Sequence, residues 1–123
     1  MNQVFFILLV FIYIQGFSQE SVKLGGIGLE VMTKDVGKMN WVDAKEACKG
    51  FGDGWRLPTI DELKKIYKYK DFIGGFKDAY YWSSTEVNIN PDLYVWNFSF
   101  SNGYDGNYGK YLTLWVRAVR DLK

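Results

Sequence analysis

The sequence predicts an α+β fold in which two short helices pack on a small, mostly antiparallel twisted sheet. Two segments before residue 70 carry apolar residues at helical spacing. Residues 94–100 then alternate in the way that a strand does, and a segment rich in glycine and asparagine separates them from a second alternating run. Helices that precede strands, instead of alternating with them, are typical of the α+β class.

The chain begins with an uncharged, apolar leader. Residues 1–19 contain no charged side chain, and residues 4–14 form an apolar run that is too short to cross a membrane as a helix. Gly16 and Ser18 supply the small side chains that signal peptidase prefers. We therefore predict that residues 1–19 are a signal peptide and that the protein is secreted or lies at the cell surface or in the periplasm. Because no Lys or Arg precedes the apolar run, an uncleaved leader that holds the protein at the membrane is the alternative.

The rest of the chain has the size of one domain. Residues 20–27 are rich in glycine and are predicted to be a loose lead-in, and residues 28–123 are predicted to form a single domain. Residues 29–33 alternate well enough for a first short strand. The 15 basic and 14 acidic residues nearly cancel, which argues against the basic surface that nucleic-acid binding requires.

The first predicted helix spans residues 41–49. Asn40 suits its N-cap, and Gly50 suits the C-cap position that glycine favours. Cys48 lies on the apolar side of this helix and is the only cysteine of the chain, so it cannot form an intrachain disulfide. We interpret it as a buried thiol, with an intermolecular disulfide or a reactive thiol as the alternative.

The run that ends in Pro58 and Thr59 predicts the start of the second helix. Pro58 cannot continue a helix from upstream, and Thr59 with Glu62 three residues later has the pattern of a capping box. The helix should then span residues 60–67. We interpret the whole motif as structural, and its residues are Trp55, Arg56, Leu57, Pro58, Thr59 and Glu62.

The second half of the chain is predicted to be β structure. Residues 94, 96, 98 and 100 are aromatic and fall on one side of a strand. Residues 101–109 have turn chemistry throughout, because glycine, asparagine and aspartate recur there. Residues 112–119 alternate again, so the sequence predicts a hairpin followed by one C-terminal strand.

Three motifs occur in order along the chain: W-R-L-P-T-x-x-E-L at residues 55–63, Y-W-S-S-T-E at 81–86 and V-R-x-V-R at 116–120. This order resembles the bacterial family named domain of unknown function 1566, also called the Lcl C-terminal domain, from about residue 28 to residue 120. The resemblance implies a C-type-lectin-like fold and a secreted or surface recognition module, with carbohydrate binding in some members. Many relatives have a second cysteine in the last motif, where this chain has Ala118. We interpret the motif tryptophans Trp55, Trp82 and Trp96 as core residues, and Arg56, Arg117 and Arg120 as structural hydrogen-bond donors.

The sequence offers little for catalysis. It contains no histidine, which removes the commonest general base and zinc ligand. The fold relatives that convert cysteine to formylglycine use two cysteines, and this chain has one. The carboxylate pairs Asp43 with Glu46 and Asp61 with Glu62 fall in first helical turns, where the helix dipole favours acids. We predict no enzyme activity and no cofactor; the alternative is a carboxylate-dependent hydrolase or modifying enzyme on a formylglycine-generating-enzyme-like scaffold.

Two short segments invite comparison with the calcium-dependent sugar site of C-type lectins, namely Asn90-Pro91-Asp92 and Trp96-Asn97-Phe98. Calcium takes roughly six to eight oxygen ligands. These segments supply few, and Phe98 stands where that site has its last acid. We therefore predict no metal site.

The segment after the long aromatic strand is the predicted binding surface. Tyrosine faces stack on sugar rings, amides and acids pair with hydroxyl groups, and glycines let a ligand approach the backbone. The predicted partner is a glycan or a surface protein, and the oligomeric state is left open. The predicted contacts are Tyr104, Asp105, Asn107 and Tyr108, with Asn88, Asn90 and Asp92 as neighbours. A hairpin turn that only carries surface tyrosines is the alternative.

Overall fold

Eight strands and three helices make up residues 19–123, the part of the chain that a computed structural model describes. The predicted signal peptide lies outside the described residues, apart from Gln19. Within those residues no helix is both long and apolar enough to cross a membrane. The elements are β1 (Ser21–Leu24), β2 (Leu29–Met32), β3 (Gly37–Met39), α1 (Trp41–Lys49), α2 (Ile60–Tyr67), α3 (Lys70–Ile73), β4 (Tyr80–Glu86), β5 (Tyr94–Ser99), β6 (Asp105–Gly109), β7 (Leu114–Val116) and β8 (Val119–Asp121). The predicted α+β class is confirmed.

A three-stranded antiparallel sheet, in the order β1-β2-β8, joins the two ends of the described chain. Residues 20–27, which were predicted to be loose, contribute β1 and a short 3₁₀ helix over Gly25–Ile27. The physical reason is that β1 pairs with β2 along its whole length and buries Leu24 against the core. Backbone hydrogen bonds and apolar burial together order a segment whose glycines alone suggested a loop.

The second sheet has five strands in the order β3-β7-β4-β5-β6, with β4 and β7 parallel and the other pairs antiparallel. The turn predicted for residues 101–109 is shorter than expected. It closes by residue 103, because the Ser99 hydroxyl accepts the backbone N–H groups of Ser101 and Asn102, and the Asn102 side chain accepts that of Tyr104. The rest of the segment is β6, an edge strand that pairs with β5 from Asp105 to Gly109.

The predicted C-terminal strand is two strands that belong to different sheets. β7 lies in the five-stranded sheet and β8 in the three-stranded one. Between them Arg117 is buried, and its guanidinium donates to the carbonyls of Met32 and Gly74, each at 2.9 Å. These bonds fix the point at which the chain leaves one sheet for the other.

Both predicted helices are present with the predicted bounds, while the short helix α3 was missed. Asn40 caps α1 by accepting from the backbone N–H of Asp43 at 2.9 Å. Gly50 is the C-cap residue of α1, as predicted. It keeps right-handed helical geometry with φ −62°, and the positive φ of 71° falls at Gly52.

The core consists of two clusters on opposite faces of the five-stranded sheet. Tyr81 of β4 and Phe98 of β5 belong to the cluster with Leu63 and Ile66 of α2. Trp82 of β4, next to Tyr81, and Val95 of β5, three residues before Phe98, alternate to the other face, where they pack with Trp41, Ala44 and Cys48 of α1. The two helices therefore cover opposite faces, and the α1 side leaves the β5–β6 end of its face partly open.

Candidate functional site

The first motif arginine, Arg56, ties the start of α2 to the C-terminal strand. Its two Nη atoms donate to the Glu62 carboxylate at 2.8 and 2.9 Å, and Nη2 also lies 2.6 Å from Oδ1 of Asp121. Glu62 and Thr59 form the predicted capping box. Burial acts to raise the pKa of Glu62, but hydrogen bonds from Arg56 and from the Thr59 backbone hold it below its ordinary value of 4.5.

The second motif arginine, Arg117, is the most buried charge of the described chain. Its side chain is fully buried, and Nε donates to Oδ1 of Asp35 at 2.9 Å. The guanidinium also stacks on the Phe76 ring, 3.8 Å from its centroid. Asp35 further accepts the Tyr81 hydroxyl at 2.9 Å, and burial raises the pKa of that phenol. This network joins β2, β4 and β7 beneath the surface.

The third motif arginine, Arg120, pairs with Glu30 at 3.0 Å and lies over the Trp55 ring at 4.6 Å. Hydrogen bonds from Arg120 and from Ser21 lower the pKa of Glu30. A cavity of about 240 Å³ lies beside this pair. Three of its charged lining residues, Glu30, Arg120 and Asp121, pair within the chain, and we assign these three to the scaffold.

Two of the four carboxylates that were considered for catalysis make structural contacts, one from each pair. The Asp43 carboxylate accepts from the Asn40 amide at 3.2 Å, and Glu62 is held by Arg56. The pKa values of Glu30 and Glu62 are lowered, which is opposite to what a general acid requires. Within residues 19–123, no group of three or more Cys, Asp or Glu side chains is arranged to hold a metal ion.

Cys48 is a buried free thiol. It packs in the α1 cluster together with Ala118, the residue that stands where many relatives have a second cysteine. Burial raises the pKa of the thiol to about 12. A group in this state is neither a nucleophile at neutral pH nor accessible for pairing between chains.

The four central residues of the predicted binding surface divide between two faces. They belong to β6 or to its lead-in, and strand alternation puts Tyr104 and Tyr108 on one side and Asp105 and Asn107 on the other. Asp105 faces α2, where its carboxylate lies 3.1 Å from Nζ of Lys64. The prediction of one continuous loop surface is therefore wrong, because the segment is a strand.

The predicted neighbours Asn88, Asn90 and Asp92 lie in the exposed connection between β4 and β5. This connection meets the far end of β6, where the backbone N–H of Lys110 donates to the Leu93 carbonyl at 2.9 Å. The hairpin turn next to Tyr104 is at the opposite end of that strand. These three residues therefore lie near the end of β6 that carries Tyr108, and Tyr104 is at the other end of the strand.

A residue that the sequence did not single out, Tyr80, completes a group of tyrosines on the open side of the sheet. Its ring lies 5.1 Å from that of Tyr108 at 81°, and this neighbouring phenol raises the pKa of Tyr108. Tyr104 is 72% exposed and Tyr108 is 37% exposed. We call Tyr80, Tyr104, Gly106 and Tyr108 the tyrosine face. Tyr80 could have been found from its alternation with the core residue Tyr81.

Gly106 is the low point of the tyrosine face. A Cβ atom there would lie 3.1 Å from Oδ1 of Asn97 and 3.9 Å from Cε1 of Tyr80. Asn97 is fully buried beneath it, and neither of its side-chain amide atoms has a partner among the described residues. A larger residue at position 106 would crowd this amide and fill the space between the tyrosines.

Next to Tyr80 a groove of about 450 Å³ opens between the starts of β4 and β7. It is larger than the two other cavities described, which measure about 240 and 210 Å³. Its lining mixes hydroxyl, amide, aromatic and charged groups from Lys38, Asp78, Ala79, Tyr80, Ser99, Ser101, Asn102, Thr113, Leu114 and Trp115. Tyr80 belongs to both surfaces and connects the groove with the tyrosine face.

Comparison with known proteins identifies the family. No curated protein matches the chain. The family model of the Lcl C-terminal domain matches residues 20–120, which include all of the helices and strands described above except the last residue of β8. The three sequence motifs fall inside this match, and the structure gives them a shared role in holding the scaffold. The chain therefore belongs to the Lcl C-terminal domain family.

Proposed function

We propose that this protein is a noncatalytic recognition module that binds a glycan on the tyrosine face and in the adjoining groove. The observation that carries the proposal is the aromatic surface around Gly106, formed by the exposed Tyr104 and Tyr108 and the half-buried Tyr80. Flat aromatic rings offer apolar area for the C–H faces of sugars, and each phenol adds a hydrogen-bonding group at its edge. Such rings beside a polar groove match the chemistry of a saccharide.

The polar lining supports the same ligand class. Ser101, Asn102 and Thr113 bring hydroxyl and amide groups to the groove, and these can both donate to and accept from sugar hydroxyls. Lys38 and Asp78 contribute one charge of each sign. The groove volume of about 450 Å³ lies within the usual range of small-molecule sites. We therefore propose a neutral saccharide rather than a polyanion.

The proposal also includes the type of α+β fold and the cellular location of the protein. We infer a C-type-lectin-like arrangement from the family membership and from the two helices on an antiparallel sheet whose chain ends pair through β2 and β8. We infer export by the leader, to the outside, the cell surface or the periplasm. A glycan or a surface protein is then the accessible partner. The carboxylate-dependent enzyme has less support, since Glu62 and Asp43 serve the helix starts.

A glycan-array screen of the purified protein tests the proposal. We expect binding to a defined set of saccharides and a loss of at least about tenfold in affinity for the Tyr104→Ala, Tyr108→Ala double variant, because tyrosines that a ligand covers on binding are among the residues that contribute more than about 1 kcal/mol. The melting temperature should stay near that of the parent, since both side chains are exposed.

The matched control is Tyr111→Ala. Tyr111 is 81% exposed, and its ring packs over Gly109, whose position in β6 alternates to the side away from the tyrosine face. Its removal should leave glycan affinity unchanged. A folded double variant that binds as tightly as the parent would show that the site lies elsewhere.

A further inference from the structure

We propose that two copies of this chain pair through the edge strand β6 and form a continuous sheet across a two-fold axis. Within residues 19–123, β6 pairs with β5 and has no strand on its other side. An unpaired edge presents a row of backbone donors and acceptors to any strand of suitable register. This inference goes beyond the proposed function, because pairing of this kind requires no ligand.

The backbone groups that remain free can be identified from the ladder. The hydrogen bonds from Ser99 N–H to the Tyr104 carbonyl and from Lys110 N–H to the Leu93 carbonyl, each of 2.9 Å, mark hydrogen-bonded positions at the two ends of β6. In an antiparallel ladder these positions alternate along the strand. Asp105 and Asn107 are the intervening positions, so their N–H and C=O groups point away from β5.

The edge carries little of the usual protection. Its five-residue sequence, Asp-Gly-Asn-Tyr-Gly, contains no Lys and no Pro, its one charge, on Asp105, is paired with Lys64, and the pairing with β5 is regular without a bulge. Only the far end is closed, because the Gly109 carbonyl accepts the backbone N–H of Leu112 at 3.0 Å and the Tyr111 ring covers Gly109. The free part of the edge is therefore the segment around Gly106.

This free segment is complementary to itself. With Gly106 opposite Gly106 of the second copy, Asp105 lies opposite Asn107 on both sides of the axis. The free N–H and C=O groups of Asp105 and Asn107 then form four backbone hydrogen bonds between the copies. No like charges face each other across the strands, and Tyr104 lies opposite Tyr108, an aromatic pair that stabilises antiparallel strands.

This register, with Gly106 opposite Gly106, is favoured over the neighbouring one. A shift that brings Asn107 opposite Asn107 would need the backbone groups of Gly109, which is already covered. Strand pairing keeps the same face of both sheets on one side, so the two tyrosine faces would join across the axis. The contact is short, and we expect a weak, concentration-dependent dimer.

Sedimentation velocity of the purified protein, without ligand, tests the pairing. At concentrations up to about 1 mM we expect the parent to move from the monomer toward the dimer value. Asn107→Pro should remain monomeric over the same range, because proline lacks the outward N–H that the second copy would accept. Asn107→Ala, which keeps that N–H, should dimerise like the parent. A parent that stays monomeric throughout would overturn the proposal.

A cross-linking experiment tests the register and does not depend on how well Asn107→Pro folds. The variants Tyr104→Cys and Tyr108→Cys are mixed under mild oxidation, with the native Cys48 buried and unreactive. We expect a disulfide-linked dimer in the mixture, and little from either variant alone, since positions 104 and 108 are the facing pair. Equal cross-linking in the single variants and the mixture would refute this register. Neither experiment involves a glycan, so failure here leaves the glycan proposal standing.

Discussion

We call the three motif arginines, Arg56, Arg117 and Arg120, with their carboxylate partners the arginine network. It differs from the tyrosine face in how many of its side chains already have partners within the chain. In the network every guanidinium has a carboxylate partner within 3.0 Å. On the tyrosine face, Tyr104 is 72% exposed, and its side chain makes no hydrogen bond and no ring contact among the described residues. The most conspicuous sequence motifs therefore hold this fold together, whereas the proposed contact surface lies on a strand without motif character.

Physical chemistry explains the division. A buried guanidinium such as that of Arg117 is tolerated only when it is paired and hydrogen-bonded. The partly exposed Arg56 and Arg120 are also paired with acids. Those acids are then no longer available for catalysis or ligand binding. Exposed tyrosines cost little to maintain and keep their faces for a partner. Charge in the network and aromatic area on the tyrosine face therefore have separate roles.

The largest expected effect is a loss of stability of the scaffold when Arg117 is removed. Arg117→Ala leaves the Asp35 carboxylate, whose side chain is 5% exposed, without its buried partner. We expect a loss of about 3–5 kcal/mol in the free energy of unfolding, measured by denaturant titration. Lys68→Ala, at an exposed position, is the control and should change stability by less than about 0.5 kcal/mol. A loss below about 1 kcal/mol for Arg117→Ala would mean that the network is not essential to the scaffold.

A smaller effect is expected at the start of α2. Thr59→Ala removes the side chain that accepts the backbone N–H of Glu62 at 3.1 Å, which should cost on the order of 1 kcal/mol. Thermal melting measures this cost, and Thr59→Ser, which keeps the capping hydroxyl, should melt close to the parent. Glycan affinity of the folded variant should be unchanged. Unaltered stability combined with lost binding would assign Thr59 to a site instead.

Local signals in the sequence were sufficient for the helices. Asn40 at the start of α1, and Thr59 with Glu62 at the start of α2, form side-chain caps that depend on residues three positions apart. Such short-range chemistry is readable from sequence. Gly50 was predicted as the C-cap of α1 in the same way, although the left-handed geometry that glycine favours falls two residues later, at Gly52.

The candidate site was harder to predict because it depends on contacts far apart in the chain. Asp105 and Asn107 were grouped with Tyr104 and Tyr108 on composition, but pairing with β5 made the segment a strand and separated them by face. Tyr80 reaches Tyr108 only through the register of three strands. Likewise Arg117 splits the last strand by bonding to Met32 and Gly74, which no local pattern shows.

The proposed separation of binding surface and scaffold is tested most directly by a nuclear magnetic resonance titration of the parent protein with the glycan that binds most tightly on the array. We predict that the backbone amide signals of Tyr80, Gly106 and Tyr108 shift most on addition of the glycan, while the side-chain Nε–H signals of Arg117 and Arg120 stay in place. This outcome would locate the ligand on the tyrosine face of an unperturbed scaffold. Shifts concentrated on the arginine signals, with those of Gly106 and Tyr108 unchanged, would contradict it.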